Sequence, residues 1–83
     1  MTESIAIIFG GPSDEHDISI LTGLQSSRIL SSKYNVQNIY WSKDNKWYLV
    51  QNALESRDFV ENSEIFKNEL TIKYDSKPGF YLK

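Results

Sequence analysis

The sequence predicts an α/β fold built on a parallel strand–helix–strand unit, extended by a hairpin and two further strands. Three features predict it. A short isoleucine-rich run ends in Gly10-Gly11. An amphipathic stretch with acidic residues at its start follows, and then an aromatic, β-branched run turns through polar residues into a second such run.

The opening run, residues 4–9, reads Ser-Ile-Ala-Ile-Ile-Phe. A short, nearly continuous apolar segment of this kind suits a strand covered on both faces. Gly10-Gly11-Pro12-Ser13 ends it, because glycine reaches backbone angles closed to other residues. A helix is expected over residues 14–32. Ser13 or Asp14 can cap it, while Asp14, Glu15 and Asp17 put negative charge at the positive end of its dipole. Ile20, Leu21, Leu24, Ile29 and Leu30 are its expected buried side.

Residues 34–42, with Val36, Ile39, Tyr40 and Trp41, read as a second strand. A crossover of this type is right-handed and joins parallel strands. Lys43-Asp44-Asn45-Lys46 then turns into Trp47-Tyr48-Leu49-Val50, an antiparallel partner. A short helix is expected within residues 53–62. Residues 69–74 and 79–82 read as strands joined by Asp75-Ser76-Lys77-Pro78.

Composition narrows the function. The chain has 83 residues, 40% apolar, and a net charge of −2. It is one small unit, burying roughly 60% of the surface its unfolded form exposes. No basic stripe offers a nucleic-acid footprint, and no basic amphipathic helix suggests a membrane surface. No apolar run reaches the ~18 residues of a membrane span. The absence of cysteine excludes disulfides and cysteine-ligated metals. Met1-Thr2-Glu3-Ser4 lacks the basic start of a secretion signal, so the cytoplasm is the expected location.

The chemistry concentrates in residues 10–19, Gly-Gly-Pro-Ser-Asp-Glu-His-Asp-Ile-Ser. They join the carboxyl end of the first strand to the first helix, the edge where open α/β sheets collect ligands. Free amides at a helix start favour negative charge. A dinucleotide loop would need a third glycine where Glu15 stands, and the Gly-Lys-Ser/Thr ending of a phosphate loop is missing. Asp14, Glu15, His16 and Asp17 offer four metal-ligand types in a row. Helical neighbours point about 100° apart, so consecutive residues cannot converge on one ion. Asp14 and Asp17 read as a solvated helix start, and His16 as a surface or loop-packing residue. Composition and spacing leave Glu15 ambiguous.

The motif Ile7-Ile8-Phe9-Gly10-Gly11-x-Ser13-x-Glu15-His16-x-Ile18-Ser19 resembles the opening of D-alanine–D-alanine ligases. The resemblance continues through Tyr34-Asn35-Val36 and Ile39-Tyr40-Trp41 to Asp44-Asn45-Lys46-Trp47-Tyr48-Leu49. It is close over residues 5–50 and loose beyond. Pro12, Asp17 and Ile18 replace commoner residues mildly, and Asn45 stands at the hairpin glycine, where positive φ is tolerated.

The resemblance implies a partial Rossmann-like, pre-ATP-grasp domain over residues 1–83, with the ATP-grasp domains absent from this chain. It implies an ATP-dependent enzyme making D-Ala-D-Ala for peptidoglycan and the cell wall. ATP and Mg²⁺, or Mn²⁺ in its place, would act in the full-length enzyme, with neither bound to this piece, which would be inactive alone. Glu15 is implied as the catalytic-site residue that binds the ammonium group of the first D-alanine. Ile18, three residues on and on the same helix face, would line that pocket, with Gly10 and Gly11 letting the loop approach. Ser13, His16 and Ser19 would support it, and no metal ligand is implied here.

Three alternatives stay open on sequence: a non-catalytic pre-ATP-grasp binding module, a D-alanine–D-lactate ligase, and a glutathione-synthetase-like ligase. Nucleic acid and membrane are not expected partners. D-alanine is, together with a homodimer or other self-association through unpaired edges and faces, with Trp41, Trp47, Phe66 and Phe80 expected to be exposed.

Overall fold

The computed structural model describes residues 4–50, 55, 57–61, 63–73, 77 and 79–83. Its elements are β1 (Ser4–Gly10), α1 (His16–Leu30), β2 (Asn35–Trp41), β3 (Trp47–Val50), α2 (Asp58–Glu61), a 3₁₀ turn (Ser63–Phe66), β4 (Glu69–Lys73) and β5 (Gly79–Leu82). The strands form one mixed sheet in sequence order, with β1 and β2 parallel and the other pairs antiparallel. The predicted strand–helix–strand unit, hairpin and terminal strands are all present. The turn predicted at residues 75–78 lies largely outside the described residues, as do parts of the helix predicted at 53–62. What is described there is the four-residue α2 and the 3₁₀ turn.

Among the described residues β1 is an edge strand, paired along its length only with β2. The expectation that both its faces are covered needs correction, since Ile8 is 47% exposed. Phe9 points to the other face, beneath α1, and is buried. Phe9, Ile20, Leu24, Tyr40, Tyr48, Val50, Phe59 and Ile65 form the core. Phe59 and Ile65 come from α2 and the 3₁₀ turn, so the short elements of the last third close the core that α1 opens.

α1 is shorter than predicted at both ends. It begins at His16 because the segment through Asp14 and Glu15 is a turn, with the His16 N–H donating to the Ser13 carbonyl at 3.2 Å. It ends at Leu30 because hydroxyls compete for its last carbonyls: Ser31 donates to Arg28 O and Ser32 to Ile29 O, each at 3.0 Å.

The buried side also differs from expectation. His16, Ile20, Gly23, Leu24 and Ser27 face the sheet, whereas Leu21 is 51% and Ile29 73% exposed. At about 100° per residue, Ile29 lies half a turn out of phase with Ile20. Gly23 permits the close helix–sheet approach, because a Cβ there would sit 2.6 Å from the Phe9 Cβ.

The hairpin turns at Asn45, whose φ is +64°. Its Oδ1 accepts the Trp41 indole N–H at 2.7 Å. On the face away from α1, Trp41 stacks on Trp47 with centroids 4.6 Å apart, and Trp47 meets Phe80 at 5.1 Å. These three rings, expected to be exposed, shield one another and are half-buried. Phe66 is 47% exposed, as expected.

Burial, with nearby carboxylates adding to it, raises the pKa of Tyr40 and Tyr48 above the ordinary phenol value. A raised pKa contributes stability that is complete below the unfolded value, about pH 10, and is lost as pH climbs through the folded value. Urea unfolding midpoints are therefore expected to hold up to about pH 10 and fall beyond it, with a shallower fall in Tyr48→Phe. Equal alkaline slopes for the two proteins would contradict this.

Candidate functional site

The site forms where β1 hands over to α1. Gly10 and Gly11 take φ of +100° and +97°, a region that side chains avoid. Gly10 also lies against β2, where a Cβ would stand 2.3 Å from the Trp41 carbonyl oxygen. The Gly11 N–H donates to that oxygen at 2.7 Å, and the Gly10 N–H donates to Ser19 Oγ at 3.0 Å. The two glycines thus bend the chain sharply, and Ser19 ties the end of the strand to the first turn of the helix.

Glu15 occupies the N-cap position, at φ −92° and ψ 15°, without a side-chain cap bond. Neither Ser13 nor Asp14 holds that position, which corrects the expected caps. Ser13 acts one step earlier, its hydroxyl accepting the Glu15 N–H at 3.2 Å. The Glu15 carbonyl accepts the Ser19 N–H at 2.9 Å. Glu15 therefore has a fixed backbone and an exposed side chain. Asp14 and Asp17 are exposed as well.

An open groove of about 360 Å³ runs beside Glu15, along the free edge of β1 and the adjoining side of α1. Ile7, Ile8, Ile18, Ser19 and Thr22 help line it. Ile18 is 63% exposed and so is not a core residue in this chain. The site combines a carboxylate at a helix start with an apolar wall. That arrangement suits a small ligand with a cationic group and a short apolar side.

Of the two roles expected for His16, on the surface or packed against the loop, the structure shows the second: it is only 4% exposed and is bonded to the glycine turn. Nδ1 lies 2.6 Å from the Gly11 carbonyl oxygen and Nε2 lies 2.9 Å from the Tyr40 hydroxyl. A carbonyl only accepts, so Nδ1 carries the proton; in the neutral ring Nε2 then accepts from Tyr40. Tyr40, 4% exposed, is held in turn by Phe9 and Phe59, with ring centroids at 6.2 and 4.8 Å. Sequence reasoning missed Tyr40 as part of the site. The available signal was the strand register, which sets Tyr40 beside Phe9 at the mouth of the junction.

The donor set does not fit a nucleotide or a metal. The Gly10 and Gly11 amides are spent inside the fold, so the glycine turn offers no phosphate cradle. Among the described residues no three His, Asp or Glu side chains gather for an ion, and no helix is long and apolar enough to cross a membrane.

The family model described as D-ala D-ala ligase N-terminus matches residues 4–79. The chain belongs to this D-alanine–D-alanine ligase family. This ligase N-terminus is 35% identical over 81 residues to a D-alanine–D-alanine ligase of Sulfurovum sp. (strain NBC37-1), covering 96% of the chain and 22% of that relative. It is 38% identical over 87 residues to the D-alanine–D-alanine ligase of Thermosipho melanesiensis, covering 89% of the chain and 24% of the relative. It therefore spans about a quarter of the length of the curated relatives it matches. Among solved structures, the D-alanine–D-alanine ligase of Coxiella burnetii superposes with a TM-score of 0.70 at 26% identity, over 98% of this chain and 26% of that one. The VanG D-Ala:D-Ser ligase of Enterococcus faecalis shares the fold, with a TM-score of 0.59 at 21% identity over 88% of this chain and 22% of that one.

Proposed function

We infer that this ligase N-terminus is the part of an ATP-dependent D-alanine–D-alanine ligase that holds the first D-alanine. The observation that carries the reading is the Glu15 carboxylate, exposed at the strand–helix junction beside a groove walled by Ile18 and Ile7. No side chain of the described residues bonds to that carboxylate. A D-alanine ammonium meets it as a charge-assisted hydrogen bond, and the substrate methyl lies toward the apolar wall. Through that contact Glu15 anchors the substrate by its ammonium group. Its catalytic contribution is orientation of the acyl donor.

ATP supplies the phosphoryl group that activates the D-alanine carboxylate in such a ligase. The residues that grip the nucleotide and Mg²⁺ or Mn²⁺ belong to ATP-grasp domains outside this chain, and the chain alone forms no dipeptide. The product feeds peptidoglycan synthesis in the cytoplasm. The edge of β1, unpaired among the described residues, and the exposed Ile8 and Leu82 support self-association, as a homodimer or a larger assembly. The test of the reading is the KM for the first D-alanine in the full-length ligase with Glu15→Gln. A rise supports the anchor, and an unchanged value removes it.

A further inference from the structure

We propose that Tyr40, acting through His16, is a positioning residue that sets the direction of Glu15. The proposal rests on the reading of Glu15 as the ammonium anchor. Glu15 precedes His16 directly, so whatever fixes the His16 ring fixes the start of α1 and the backbone from which the carboxylate projects. Two bonds fix that ring, one to the Gly11 carbonyl at 2.6 Å and one to the Tyr40 hydroxyl at 2.9 Å.

The three groups lie on different elements. Gly11 belongs to the turn after β1, His16 opens α1, and Tyr40 lies near the end of β2. Each has a single role in the chain of bonds: the hydroxyl donates to Nε2, and Nδ1–H donates to the carbonyl. Both rings are 4% exposed, so water does not replace a lost bond. The Tyr40 ring meets His16 edge-on at 5.5 Å and packs on Phe9 and Phe59. The brace thus couples the core to the exposed carboxylate without touching the ligand groove. Neither His16 nor Tyr40 lines that groove.

Tyr40→Phe keeps the ring and removes the hydroxyl. In the full-length ligase it is expected to raise the KM for the first D-alanine about three- to tenfold, the scale of one buried hydrogen bond, with kcat and the KM for ATP little changed. His16→Asn, which keeps a donor near the Gly11 carbonyl but cannot reach Tyr40, is expected to do the same. In a Glu15→Gln background neither change raises that KM further, because both act through the carboxylate. Multiplicative effects in the two backgrounds overturn the proposal, as does an unchanged KM in Tyr40→Phe accompanied only by a lower melting temperature. If Glu15→Gln itself leaves the KM unchanged, the anchor fails, and the brace with it. If Glu15→Gln raises the KM and Tyr40→Phe does not, the brace alone fails.

Discussion

Glu15→Gln in the full-length ligase is expected to raise the KM for the first D-alanine about ten- to a hundredfold. A hydrogen bond between charged groups contributes ~1.5–3 kcal/mol, and every 1.4 kcal/mol is a factor of ten. Glutamine keeps the length and shape of the side chain but removes the charge that the ammonium needs. The fold is expected to survive, because the Glu15 side chain is exposed and makes no cap bond. The backbone bonds to Ser13 and from Ser19 do not depend on the carboxylate. The melting temperature should therefore stay near that of the parent while the KM moves. A variant that loses stability and substrate affinity together would show instead that Glu15 holds the helix start.

Gly10→Ala is expected to have the larger effect on stability, a loss of more than ~3 kcal/mol. Two costs add. An alanine at φ +100° is strained wherever it occurs, by ~1–3 kcal/mol. The new Cβ would also lie 2.3 Å from the Trp41 carbonyl oxygen, a backbone atom locked into the sheet. That oxygen accepts the Gly11 N–H, so pushing it away breaks the bond that closes the turn. Small domains have little stability in reserve, so thermal unfolding followed by circular dichroism should show most of the cooperative transition gone. A melting temperature within a few degrees of the parent would contradict this account of the turn.

Much of the fold was legible because its signals are local. The isoleucine run before two glycines, the acidic start of α1 and the Lys43–Lys46 turn each determine a neighbouring element. Glu15 could be placed at the strand–helix junction for the same reason. The hidden parts depend on distant partners. His16 looks polar and exposed among Asp14, Glu15 and Asp17, yet it is buried because Tyr40, 24 residues away, supplies its hydrogen-bond donor.

Other misreadings follow from how the helix sits on the sheet. Leu21 and Ile29 read as core because they are apolar, but the phase of α1 is set by Gly23, where the helix presses on Phe9. A glycine inside a helix ordinarily only weakens it, so its packing role emerges only once the sheet is in place. The aromatic rings on the open face were expected to be bare. Trp41 and Trp47 instead stack at 8° between ring planes, a cross-strand pairing set by the hairpin register.

The most direct test is a crystal structure of the full-length ligase with D-alanine bound, measuring the distance from the Glu15 carboxylate to the substrate ammonium. A charge-assisted contact of about 2.7–2.9 Å is predicted. Glu15 turned to solvent, with the ammonium held by another group, would contradict the account.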